Sequence, residues 1–78
     1  MSILNELREQ AGLGGPAASL ANEMLVIHEN YAQGQLTSEE YGFLLQEIAD
    51  IRAQQELASD EIAMRWIVAA AQGLLAVM

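Results

Sequence analysis

The sequence contains no cysteine and no lysine. Without cysteine there is no disulfide, no thiolate nucleophile and no thiolate metal ligand, and the redox compartment stays open. Without lysine the cations are Arg8, Arg52 and Arg65, set against eleven Asp and Glu for a formal net charge of −8. Holding a phosphate backbone takes clustered Lys or Arg, so no nucleic-acid binding is expected. Such an acidic surface keeps an apolar protein soluble, and it also suits a basic protein partner or an inhibitor that mimics nucleic acid. His28 is the only histidine. It lacks the second His or Cys of a typical zinc site and reads as a surface or boundary residue. The first ten residues carry Glu6 and Glu9 with only Arg8. They lack the basic and apolar regions of a secretory signal, so the expected location is the cytoplasm or a particle assembled there.

What is present is apolar. Residues of the AVILMFWYC set make up 53% of a 78-residue chain. A domain this short buries only about 60% of the surface its unfolded chain exposes, so apolar surface is left over for another subunit. All the acids lie between Glu6 and Glu61, and nothing after Arg65 is charged. The chain is thus polarised into an acidic body and an apolar tail.

The clearest signal along the chain is Gln33-Gly34-Gln35-Leu36-Thr37-Ser38-Glu39-Glu40-Tyr41. Gly34 suits the left-handed position that closes a helix. Thr37 suits an N-cap, and Glu40 three residues on completes a capping box. Upstream, Leu20, Met24, Ile27 and Tyr31 form an apolar stripe on a helix placed at about 16–33, with Pro16 in its first turn. Downstream, Tyr41, Leu44, Leu45, Ile48 and Ile51 form another. So short a turn predicts an antiparallel helical hairpin. A first helix, capped by Ser2, is placed at about 3–11, with Gly12 as its stop. Gly14, Gly15 and Pro16 then form a joint, and the first helix either folds back or reaches a neighbour, being too short to stand alone. These features give one domain, with an N-terminal helix and Gly-rich joint at 1–15 and the hairpin plus C-terminal helix at 16–78.

After Ile51 two courses are open. A break or bend falls near Ala58 to Asp60, with Ser59 capping a new helix, or one helix runs on to the mid-seventies. From Ile62 to Met78 only Arg65 and Gln72 interrupt an apolar surface, which implies burial all round in protein or in lipid. The run after Arg65 falls short of the roughly 20 apolar residues that span a bilayer, which favours protein.

The Glu29–Glu40 stretch also resembles a calcium loop, with Gly34, Leu36 and Glu40 at the positions of glycine, aliphatic and final glutamate. Its ligand positions fail: Tyr31 cannot chelate, Gln33 is neutral, and calcium needs several converging oxygens. The helix stop and start explain the same residues, so no metal and no cofactor are expected. Neighbouring acids such as Glu39 and Glu40 diverge on a helix. Glu47 and Asp50 share a face, but nothing promises the desolvated cleft that catalytic carboxylates require. No phosphate-binding glycine loop occurs. The chain reads as non-enzymatic.

The series Gly34 to Tyr41, then Leu44-Leu45-Gln46-Glu47-Ile48, then Asp60-Glu61 and an apolar Ala/Leu helix, resembles small helical proteins encoded among phage structural genes. That resemblance implies a virion component, packed as repeated copies against larger proteins. The resulting expectation is an all-α protein, a small helical bundle that acts as a structural or assembly subunit. Its partners would be other proteins or its own copies. The expected contact residues are Ile62, Trp66, Ile67, Ala70, Leu74, Leu75 and Met78, with Ile3, Leu4 and Leu7 of the N-terminal arm. Two alternatives are a holin-like membrane-active protein and an acidic nucleic-acid mimic using Glu39, Glu40, Glu47 and Asp50.

Overall fold

The computed structural model describes residues 2–77. They form an all-α bundle of four helices: α1 (Ile3–Leu13), α2 (Ala18–Ala32), α3 and α4 (Glu61–Ala76). Helix α3 is continuous but not uniform. It is α-helical over Ser38–Glu47, π-helical over Ile48–Arg52 and α-helical again over Ala53–Glu56.

The turn between α2 and α3 is built as its residues dictate. Gly34 sits at φ 79°, in the left-handed region. Its N–H donates to the Tyr31 carbonyl, and the Gln35 N–H donates to that of Asn30, which satisfies two of the end carbonyls of α2. The capping box closes on both sides. The Glu40 N–H donates to Thr37 Oγ1 at 3.1 Å, and the Thr37 N–H donates to Glu40 Oε1 at 2.9 Å. Thr37→Ala is expected to destabilise the fold by about 1 kcal/mol, measurable by urea unfolding.

The ends of α1 and α4 depart from the sequence reading. Gly12 lies inside α1, and Gly14 at φ 70° closes it two residues later. A glycine is tolerated inside a helix, whereas the positive φ of the stop has to fall on a residue free to adopt it. The joint folds α1 back onto α2. Helix α2 begins at Ala18 with no side-chain cap, and Pro16 lies in the turn before it. A break separates α3 from α4, and the cap of α4 is Asp60 rather than Ser59, its Oδ1 accepting from the Ala63 N–H at 3.0 Å.

One core joins the four helices. Leu7 comes from α1, Leu20, Ala21 and Met24 from α2, Tyr41, Leu45, Ile48, Ala49 and Ala53 from α3, and Ile67, Ala70, Ala71 and Leu74 from α4, with Ala17 and Leu57 from the connections. Gly73 lets α1 approach α4, since a Cβ there would lie 2.5 Å from Ile3 Cδ1.

The π turn decides which residues of α3 reach this core. At about 100° per residue, an unbroken α-helix carrying Tyr41, Leu45 and Ile48 inward would next bring Arg52 inward and turn Leu57 out. Instead the Ala53 N–H donates to the Ile48 carbonyl five residues back, which adds one residue to the turn. Everything downstream is set back by about one residue's rotation. Ala53 and Leu57 enter the core, and Arg52 is carried to the side, where its guanidinium pairs with Glu23 of α2 and with Glu56 at 2.9 Å. Hydrogen bonding to Glu23 raises the Arg52 pKa further above its ordinary value. Ile51, expected on the inward stripe, is 49% exposed.

Candidate functional site

The side chains best placed for chemistry meet between α2 and α3. His28 Nδ1 and the Tyr41 hydroxyl are 2.8 Å apart, and the Tyr31 and Tyr41 rings stack at 4.2 Å with 11° between their planes. Tyr41 is 2% exposed. His28, read from sequence as a surface or boundary residue, is partly buried and holds the one polar atom that the core tyrosine has to satisfy. Burial, and then the neighbouring Tyr31, push the Tyr41 phenol above its ordinary value. That direction opposes activation of the phenol as a nucleophile. The cluster therefore works as a polar lock between two helices.

The turn at Gly34 holds its acid in the same structural way. Glu40, the final ligand of the calcium-loop alignment, spends Oε1 on the Thr37 N–H. Among the described residues, no three of His, Asp and Glu come together in a way that could hold a metal ion.

The expected contact residues fall in different places. Leu7, Ile67, Ala70 and Leu74 are buried in the chain's own core, which corrects their assignment to a contact surface. The chain's own core covers α4 on one side. Its Ile67, Ala70, Ala71 and Leu74 recur at helical spacing on one inward face, while Ile62 is 83% exposed. Trp66, Leu75, Ile3 and Leu4 are partly covered, packed against the core from outside. Ile62 and Trp66 border a shallow depression with Pro16, Ala17 and Gln10. Met78 lies outside the described residues.

The largest departure is on α3. Phe43, the only phenylalanine in the chain, is 67% exposed. It stands at the meeting point of three shallow depressions. One runs to Leu36 and Leu44, one to Gly42 and Leu75, and one to Ile51. Glu39, Glu40, Glu47 and Asp50 border these depressions, and no arginine does. Sequence reasoning passed over Phe43, although the signal was available. Two residues from Tyr41 is about 200° around a helix, so a residue there faces away from any core that holds Tyr41. Ile51 joins the same outward side only because of the π turn.

A scan of family models, curated proteins and solved structures gives no match to this chain.

Proposed function

We propose that this chain is a non-enzymatic assembly subunit that binds other proteins through apolar surface its own fold leaves open. The observation that carries this reading is the exposure of Phe43 and Ile62 beside a core that already closes without them. Isolated exposed apolar residues are ordinary, but these two sit on separate surfaces that also take in Leu36, Leu44 and Ile51 on one side and Trp66 on the other. A large aromatic bordered by aliphatic side chains is a common anchor of protein interfaces. A subunit with two contact surfaces fits a repeated component of a larger particle, such as the virion implied by the resemblance to small phage structural proteins.

The apolar surface is assigned to protein rather than lipid because α4 turns its richest face inward. At 1.5 Å per residue its 16 residues extend about 24 Å, short of the roughly 30 Å hydrocarbon layer. No helix among the described residues is long and apolar enough to cross a membrane.

Sedimentation velocity in the tens of micromolar tests the reading. The wild-type chain is expected to sediment above the mass of one chain, or to be recovered from its native source in a stoichiometric complex, with Ile62→Glu reducing the association. A monomer recovered in no complex overturns the proposal, as does flotation of the chain with liposomes.

A further inference from the structure

The charge around Phe43 says what kind of partner that surface takes. We infer that the Phe43 face of α3 is a docking site for a basic amphipathic helix supplied by a different protein. The inference rests on the assembly reading and specifies one of its two surfaces.

The centre of the face is apolar, with Phe43 flanked by Leu36, Leu44 and Ile51. Its border is anionic. Among the described residues Glu39 and Glu47 have no cation beside them, Asp50 accepts from Gln46 Nε2, and Glu40 is bonded to the Thr37 N–H. A complementary occupant has an apolar stripe that covers Phe43 and Lys or Arg on both flanks. The face runs from Leu36, in the turn before α3, along that helix to Ile51, with Leu75 of α4 at its side. That shape suits an amphipathic helix laid alongside, its anchors spaced by three or four residues, better than a broad globular interface. Helix α3 has no strand beside it among the described residues, so strand addition has no edge to use.

Among its described residues the chain offers no such helix. It has no lysine, and its arginines are spent elsewhere: Arg52 on Glu23 and Glu56, Arg65 on Glu61, and Arg8 on Asn5. Two copies meeting face to face through Phe43 would bring both acidic borders together, and like charges across an interface oppose association. Self-association therefore belongs to the Ile62 and Trp66 surface, and the Phe43 face is kept for a partner of opposite charge. The π turn contributes by placing Ile51 on the outward side, which lengthens the apolar centre by two turns beyond Phe43.

Three synthetic helical peptides test the inference against the full-length, isotope-labelled chain by NMR titration and calorimetry. The first has a leucine stripe flanked by lysines, the second the same stripe flanked by glutamates, and the third the lysines with the leucines replaced by glutamine. The first is expected to bind and to shift amides in the 36–51 segment, more weakly as salt is raised. Phe43→Ala, checked for an unchanged circular dichroism spectrum, is expected to weaken it by at least about tenfold. Replacing Glu39 and Glu47 together by glutamine is expected to weaken it and to flatten the salt dependence. The second and third peptides are expected not to bind. Equal binding of the first two would make the face merely hydrophobic, and equal binding of the first and third would make it merely acidic. Either result, or shifts confined to other helices, overturns the inference. If none of the peptides binds while the chain still associates through Ile62, the partner chemistry fails and the assembly reading stands. If the chain neither binds them nor associates, both fail.

Discussion

Tyr41→Ala is expected to leave the chain largely unfolded at room temperature. Truncating a buried aromatic costs about 3–5 kcal/mol, and a single core of this size rarely supplies more than about 3–5 kcal/mol in all. Tyr41 is buried, stacked on Tyr31 and bonded to His28, so one substitution removes core volume and parts α2 from α3. Tyr41→Phe separates the two contributions. It keeps the ring and the stacking and deletes the bond to His28, at an expected cost of about 1 kcal/mol by urea unfolding.

The same residue contributes a pH dependence to the fold at the alkaline end. Tyr41 is raised above 10.0 in the folded state by burial and then by Tyr31, so folding favours the neutral phenol. Its contribution is fully present below pH 10 and is lost as the pH rises through the folded value. Unfolding free energy followed by circular dichroism should therefore fall with pH above 10 in the wild type. The fall should be smaller in Tyr41→Phe, which lacks the buried phenol.

The second large effect is a contrast within α4. Ile67→Ala is expected to destabilise the fold by about 2–5 kcal/mol, because Ile67 is fully buried and its loss leaves a cavity among four helices. Ile62→Ala, five residues earlier, is expected to change monomer stability by no more than about 0.5 kcal/mol. It should appear instead in the sedimentation measurement, as weaker association. Matching urea curves for the two variants would show that α4 is not one-sided, and that the open surface around Ile62 and Trp66 is misassigned.

The parts of this fold that were legible in the sequence are those written in local chemistry. Gly34, Thr37 and Glu40 specify a stop, a cap and a capping box that hardly depend on the rest of the molecule, and all three occur as read. The apolar stripe of α2 was legible for a similar reason: Leu20 and Met24 follow the helical period and are buried. The one-sidedness of α4 was hidden by its composition. Ala69 and Ala76 are as apolar as Ala70 and Ala71, and only the neighbouring helices determine which pair is covered. The π turn left no local mark either, since Ile48 to Arg52 are ordinary helix residues. What favours it is tertiary, the gain from burying Ala53 and Leu57 while Arg52 reaches Glu23. Phe43 was legible by angle alone. It stood unnoticed in an apolar run between the inward Tyr41 and Leu45.

That extra residue in α3 also governs which changes of chain length the protein can accept. Helices usually absorb inserted or deleted residues at their ends, and the 57–60 connection between α3 and α4 offers such a place. Within 48–52 there is no such freedom. Losing one residue there would restore a regular helix and turn its far half by about 100°, withdrawing Ala53 and Leu57 from the core and driving the Arg52 charge toward it. Descendants of this sequence can therefore vary the outward side chains of α3 one by one, while the spacing between Ile48 and Ala53 is inherited as a fixed interval.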